Sequence, residues 1–500
     1  MEENQERKKH VKKETNVKLV TVAVFVATFM TAIEGTIVTT AMPTIVGSLH
    51  GIEIMNWVFS IYLLTNAMLT PIYGKLADTI GRKPVFIFGT LLFVIGSALC
   101  GMSNSMETLI VARAIQGMGA GAMMPVALTI IGDLYSMEKR AKVLGFNSTA
   151  WGIASVVGPL AGGLIVDTIG WHWIFFINVP IGAILIAMIW RYLVEPKREK
   201  TGKPMDLKGS LTLAATLLAL LLAFQFLGDQ GFSMPVILLI VVSVFGLAYF
   251  IFVEKRAQDP VIALNLFHSR LFVVVNLVAA LASGFLMAVD VYIPMWMQGV
   301  LGLPAGIGGL VLAPLSILWM VGSFIAGRWL VQKSVKEVLI VFLAVILIGG
   351  AGLFLIPISA SWLWFFLISS VLGVGLGGTI VVCTVTAQSS VGHDQLGVAT
   401  SFNTLARTIG QTIMVSVFGI IMNSITANAL QKGSLTKDPD IMNKLVNPQT
   451  AKLLPEKLLA PLREILFSGL HGVFGVALLL VAIALVMTLL ISKKSATIKE

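Results

Sequence analysis

Long apolar runs separated by short polar turns organise this chain of 500 residues. Fourteen windows are apolar over about 20 residues or more, the length a helix needs to cross the hydrocarbon core of a bilayer. They run near 19–47, 56–77, 85–103, 108–134, 141–166, 171–193, 208–227, 235–254, 271–298, 306–331, 335–356, 362–387, 396–424 and 466–492. Backbone groups in lipid must satisfy their hydrogen bonds within the segment, so spans this long are helices; a membrane barrel would show weak alternation over ten-residue stretches instead. The pattern predicts an all-α membrane protein of fourteen transmembrane helices. Six spans, two, then six again predict two six-helix bundles joined by an inserted pair, a symmetry common in secondary transporters. The expected map is a polar segment 1–18, a first bundle 19–193, a linker 194–270 with two extra spans, a second bundle 271–492 and a tail 493–500. The longest connector, 425–465, has polar turn material followed by a mildly amphipathic stretch over 450–465. That stretch would lie on the membrane surface or form an unstructured connector.

The Lys and Arg residues test the number of spans, because short cytoplasmic loops carry their excess. With loops assigned alternately, 27 of the 35 fall on the side of the termini and six on the other, all in 425–465; Arg113 and Arg407 lie within spans. Both termini are therefore expected in the cytoplasm and the long loop outside, with the membrane a bacterial cytoplasmic one. Apolar residues make up 57% of the chain and charged ones 12%, against roughly half and a quarter in a soluble domain. The net charge of +10 thus reflects topology, and no soluble basic domain exists to bind nucleic acid. Cys100 and Cys383 lie far apart in apolar runs and read as buried thiols, neither a disulfide framework nor a metal site. The first span is about twice the length of a signal-peptide core and lacks a cleavage site, so it is expected to remain in the mature protein.

Between the second and third spans the chain reads Gly74-Lys75-Leu76-Ala77-Asp78-Thr79-Ile80-Gly81-Arg82-Lys83-Pro84. Topology explains Arg82 and Lys83, but not Asp78 between two glycines. An acid there can accept N–H groups from a helix N-terminus and pair with Arg82, latching two helices in one conformation and not another. This loop resembles the signature loop of the major facilitator superfamily. Arg113-Ala114-Ile115-Gln116-Gly117-Met118-Gly119-Ala120-Gly121 is similar to that family's second signature, and Gly158-Pro159-Leu160-Ala161-Gly162-Gly163 resembles the signature of its antiporters. Trp171-His172-Trp173-Ile174-Phe175-Phe176-Ile177-Asn178-Val179-Pro180 and Asp259-Pro260-Val261-Ile262-Ala263-Leu264 resemble the fourteen-helix drug:proton antiporter branch. Glu34 stands where that branch usually has Asp, and His172 where it usually has Arg. The resemblance, which covers essentially 19–492, implies the major facilitator fold and multidrug efflux of the kind that confers antibiotic resistance.

Gly158 and Gly162 lie one turn apart and permit close helix approach, while Pro159 removes a backbone bond and permits a bend; both suit rocking between halves. Only Glu34, Asp290, Arg113 and Arg407 place charge well inside spans. Each costs at least about 2.5 kcal/mol at the bilayer centre, so a function or a buried partner must justify it. At about 1.5 Å per residue, Glu34 lies about 24 Å from Lys18, Asp290 about 30 Å along a tilted helix from Arg270, and Arg113 about 9 Å from the opposite edge. A carboxylate in a cavity of alternating access can exchange protons, so Glu34 and then Asp290 are the expected coupling acids. Arg113, always charged, is their partner or modulator, and Arg407 is expected to anchor helix termini.

Substrate contacts are expected from Tyr62 and Asn66 on one helix face, Arg113 and Gln116 on a second, Asn147 and Trp151 on a third, and Trp296 after Asp290. The expected function is export of small hydrophobic, often cationic, compounds in exchange for protons by a monomer among membrane lipids, with no cofactor beyond the coupling proton. Export of an endogenous lipid, peptide or metabolite remains open. An enzyme is disfavoured, since the sequence has no HExxH, no phosphate-binding loop and no Ser/His/Asp grouping; a receptor or scaffold would leave the intramembrane acids without a purpose.

Overall fold

A computed structural model describes residues 15–135, 143, 153–154, 157–195, 206–257, 264–391, 396–433 and 440–491, with some side chains inside helices, such as that of Asp78, outside the description. The chain is helical throughout these residues. The helices are α1 (Val17–Leu49), α2 (Met55–Ile80), α3 (Arg82–Gly101), α4 (Met106–Leu134), α5 (Val157–Thr168), α6 (Trp173–Tyr192) and α7 (Leu207–Gln230). They continue with α8 (Met234–Glu254), α9 (Arg270–Met295), α10 (Ala305–Leu330), α11 (Val335–Leu355), α12 (Trp362–Ser389), α13 (Leu396–Gly433) and α14 (Glu456–Leu489). Among the described residues eleven helices are long and apolar enough to cross a membrane on length and composition alone, and Val157–Thr168 and Lys208–Phe224 are shorter apolar helices.

Helix ends follow local chemistry. The Asn16 side chain accepts the Leu19 N–H to start α1, Asp206 accepts that of Gly209 at 2.8 Å to start α7, and Ser105 and Thr108 form a capping box on α4. Each satisfies a donor that the first helical turn leaves orphaned. Pro294 removes one N–H from α9, and the helix continues past it as a π-helical turn, Trp296–Val300, a local widening that accommodates such a missing bond.

Successive helices run in opposite directions, which puts residues 16, 81, 193, 334 and 490 at one end of the bundle, called proximal, and 50, 105, 170, 302 and 441 at the other, called distal. Helices α1–α6 pack among themselves and α9–α14 among themselves, while α7 lies against both α2 and α13. Among the described residues, hydrogen bonds between the two groups lie towards the distal end. The Gln298 amide donates to the Thr40 carbonyl and accepts from the Thr44 hydroxyl, both at 3.0 Å. Tyr292 donates to Asn56 at 3.0 Å, and Asp167 accepts from the N–H groups of Ala305 and Gly306 at 3.3 and 2.9 Å. Between α5 and α10 the backbones nearly touch: a Cβ on Gly163 would strike Gly306, and one on Gly309 would strike the Pro159 carbonyl.

The connector 425–465 is more ordered than the hydropathy implies. Helix α13 continues to Gly433, α14 already begins at Glu456, and two short helices, Ile441–Val446 and Pro448–Ala451, fold inward between them. The stretch expected to be a surface helix or an unstructured connector therefore forms, over 456–465, the first turns of α14. Ile441, Leu445 and Val446 are buried. The Asn443 carbonyl accepts the N–H groups of Gly51 at 3.1 Å and Ile52 at 2.8 Å, which an α1–α2 turn with φ of 58° at His50 and 112° at Gly51 presents side by side. The connector thus closes over the distal seam.

Candidate proton and substrate site

Glu34 of α1 is fully buried, and Arg113 of α4 is 1% exposed. The guanidinium Nη1 donates to Glu34 Oε1 at 2.5 Å and to Gln116 Oε1 at 2.8 Å, and Nε donates to the Val58 carbonyl of α2 at 3.2 Å. The same guanidinium lies over the Tyr62 ring, 4.0 Å from its centroid, where the ring's negative face supports the charge. The second carboxylate oxygen, Oε2, accepts from Asn178 Nδ2 of α6 at 2.8 Å. That amide also reaches Ser97 Oγ of α3 at 3.0 Å. Ser97 in turn donates to the Phe175 carbonyl at 2.9 Å and accepts from Gln116 at 3.2 Å. Cys100 closes the cluster by donating to Gln116 Oε1 at 3.6 Å.

Five helices thus meet on one ion pair. Close packing makes this possible: a Cβ on Gly96 would strike the Gln116 backbone, and one on Gly117 would strike Thr65 and the Tyr62 backbone. Isolated charges at this depth are strongly unfavourable, and a partner alone does not repay their desolvation unless the remaining donors and acceptors are also satisfied. Val58, Gln116, Asn178 and Ser97 provide that satisfaction. Of these, sequence reasoning selected only Gln116.

The other expected residues fall in several places. Tyr62 and Gln116 belong to the charge cluster. Asn66 is partly exposed on α2, its side-chain oxygen accepting from Thr70 at 3.2 Å. Asn147 and Trp151 lie outside the described residues. Trp296 is fully buried inside the second bundle, with Phe365, Phe467 and Phe474 at ring distances of 5.0, 5.2 and 6.1 Å. Asp290 lies on α9, partly exposed, with no hydrogen-bond or ion-pair partner among the described residues. It is separate from the Glu34 cluster but at similar depth. Gln298 and Thr40 are bonded to each other, Asp290 lies about 12 Å below the first, and Glu34 about 9 Å below the second.

Arg407 departs from expectation. It was expected to anchor helix termini, yet no hydrogen bond or ion pair is made by its guanidinium among the described residues, and its buried Nε has no partner. The C-termini of neighbouring helices lie at the bundle ends, out of reach of a side chain about 16 Å into α13.

At the proximal end, Arg82 forms an ion pair with Asp133 of α4. Glu195 accepts the backbone N–H groups of Arg82 at 2.7 Å and Lys83 at 3.1 Å, so it occupies the positive N-terminus of α3. Gly81 has φ of 105°, and a Cβ there would press on Glu195, whereas one on Gly74 would meet nothing. The Asp78 side chain lies outside the described residues. Two glycines of α5 are committed to α1: a Cβ on Gly158 would strike Thr36, and one on Gly162 would strike Ile37. Helix α5 therefore joins the segment just beyond Glu34 to α10 of the other bundle.

The sequence matches the model of the Major Facilitator Superfamily over residues 24–415. The chain belongs to that family, and is a multi-pass secondary transporter and not an enzyme. It is 34% identical to the multidrug transporter protein MdtP of Bacillus subtilis, an alignment covering 95% of this chain and 93% of the relative. It is also 34% identical to multidrug resistance protein 3 of the same organism, covering 96% of each. The multidrug export protein EmrB of Haemophilus influenzae is 36% identical over 62% of each chain. Among solved structures, a bacterial homologue of the human lysosomal transporter Spinster, in an inward-facing and unoccupied conformation, superposes with a TM-score of 0.70 at 15% identity, covering 96% of this chain and 97% of that one. The fold is thus that of the family, in the fourteen-helix, multidrug-related branch that the sequence motifs resemble.

Proposed function

We propose that this transporter exports hydrophobic, often cationic, compounds in exchange for protons, with Glu34 as the coupling acid. The observation that carries the reading is the Glu34–Arg113 pair itself, buried at the meeting point of five helices and placed on the helix that also holds the distal seam. Protonation of Glu34 removes one charge of the pair, while Arg113 keeps its own. The carboxylate oxygens then lose their reason to hold Arg113 and Asn178 together. Because α1 carries Thr36, Ile37, Thr40 and Thr44 against α5 and Gln298, a small shift at Glu34 is delivered to the contacts that close the distal end. Two packed arrangements of such a seam form a switch that the proton can bias.

In this account Asp290, in the other bundle at similar depth, is a second proton site. Exchange of one proton for one monovalent cation cancels the membrane potential and leaves only about tenfold accumulation per pH unit, about 1.4 kcal/mol. A second proton restores the potential, about 2.3 kcal/mol per charge at 100 mV. Two acids therefore favour cationic cargo. Tyr62, Asn66, Gln116, Asn147, Trp151 and Trp296 are the proposed cargo contacts. The Gly74–Pro84 segment, the end of α2 and start of α3 joined at Gly81, latches the proximal end through Asp78, Gly81 and Arg82, and Gly158, Pro159 and Gly162 form the bearing. Reconstituted protein with a pH dye sealed inside the vesicles tests the reading against a compound panel. Transported compounds should move protons in the opposite direction; transport with no proton movement for any of them contradicts it.

The proximal end is proposed to face the cytoplasm of a bacterial cell. Single cysteines at Lys13, Lys200 and Lys437, treated with an impermeant thiol reagent in intact cells, should be modified only at 437. Modification at 200 would reverse the orientation or change the number of spans.

A further inference from the structure

The unpartnered guanidinium of Arg407 requires a counter-charge that the described protein does not supply. Arg407 lies about 11 residues, or about 16 Å, from the start of α13, deep enough that leaving it unpaired is costly. Its Nε is buried without a hydrogen bond. Among the described residues two acids lie well inside the spans, away from the helix ends. Glu34 is occupied by Arg113 and Asn178 in the other bundle. Asp290 shares the second bundle, but the packing register excludes it: a Cβ on Gly410 would strike Ala280 of α9. Arg407 is one turn proximal to that contact and Asp290 ten residues distal to it, an axial separation of about 20 Å. That is well beyond the combined reach of the two side chains.

The surroundings of Arg407 are those of an anion site. Thr384 of α12 bonds to Asn403, one turn before Arg407 on α13, which sets the adjoining turn of α12, with Cys383 and Thr379, alongside Arg407. One turn from Cys383 on the same face of α12, the Thr379 hydroxyl is buried with no partner, and so is that of Ser283 on α9, three residues from Ala280. Asn276, Asn403 and Thr384 satisfy one another nearby, Asn403 donating to Asn276 at 2.9 Å and Thr384 to Asn403 at 3.0 Å. These amides near Arg407 are thus satisfied by one another, while its Nε and the Thr379 and Ser283 hydroxyls are among the buried polar atoms of the second bundle that have no partner. A planar fork of donors with unpartnered hydroxyls a turn or two further distal suits an oxyanion, and Arg serves this better than Lys. We infer that Arg407, which is partly exposed, recognises the acidic group of an amphipathic ligand, a carboxylate or phosphate monoanion. The inference rests on the chain being an exporter of amphipathic compounds, as proposed above, but is independent of which acid couples protons.

The test uses the full chain in nanodiscs of phosphatidylcholine, titrated with dansyl-undecanoic acid and with its methyl ester. Wild type should bind the acid about tenfold or more tightly than the ester, the worth of one hydrogen bond to a charged group. Arg407→Gln should erase that ratio, and Arg407→Lys should retain part of it. A wild type that does not discriminate, or a Gln variant with the ratio intact, overturns the inference. Repeating the titration in phosphatidylglycerol nanodiscs assigns the source. Weakened acid binding by wild type but not by Arg407→Gln would place a lipid headgroup at Arg407; unchanged binding would leave the acid cargo as its ligand. Loss of the ratio is read at equilibrium without a pH gradient, so it stands apart from any failure of proton coupling.

Discussion

Glu34→Gln is expected to abolish uphill export driven by a pH gradient while leaving equilibrium binding of neutral compounds in place. Glutamine preserves the size of the side chain and an oxygen that can accept from Arg113 or Asn178, so the five-helix junction should survive. It cannot titrate, so the proton has no purchase on α1. Accumulation in proteoliposomes should fall from about tenfold per pH unit for each coupled proton to none. Binding of cations should weaken more than that of neutral compounds, because the same charge can neutralise them. Glu34→Asp should retain partial activity, since it restores an acid on a stem too short to hold Arg113 and Asn178 at once. Wild-type export by the Gln variant would transfer the coupling role to Asp290.

Arg113→Leu should be among the most destabilising single changes in the protein. It strands Glu34 in a fully buried site and removes the guanidinium donor from the Val58 carbonyl and from Gln116. Breaking a buried pair from one side typically costs about 3–5 kcal/mol, whereas replacing both charges is often close to neutral. The double variant Glu34→Gln with Arg113→Leu should therefore recover much of the loss, and reversible unfolding in mixed detergent would measure the cycle. Costs that simply add would show that the two residues act independently, contrary to the 2.5 Å contact between them.

The sequence made the charges of this site legible and its neutral members obscure. Glu34 and Arg113 stand out because a charge in a span is expensive and calls for a reason. Asn178, Ser97 and Cys100 give no comparable signal: one amide, hydroxyl or thiol in an apolar helix is unremarkable until neighbouring helices bring it to a common point. Asn178 was visible only as part of a family-like motif. Arg407 was singled out by the same argument as Arg113, but its role depended on whether a partner lay within reach, which is a matter of register between α9 and α13. The connector 425–465 shows a different limit. Hydropathy reports where a helix meets water, and α13 and α14 both extend past that point as helix, while Asn443 ties the connector to the α1–α2 turn.

The central claim is that cargo and proton meet through Glu34. Its most direct measurement is proton release on cargo binding, followed with a pH electrode or dye in weakly buffered detergent solution for wild type, Glu34→Gln and Asp290→Asn. The account predicts that wild type releases protons as cargo binds, that Asp290→Asn releases fewer, and that Glu34→Gln loses the Glu34-dependent release while still binding neutral cargo. Full wild-type release by Glu34→Gln would contradict it.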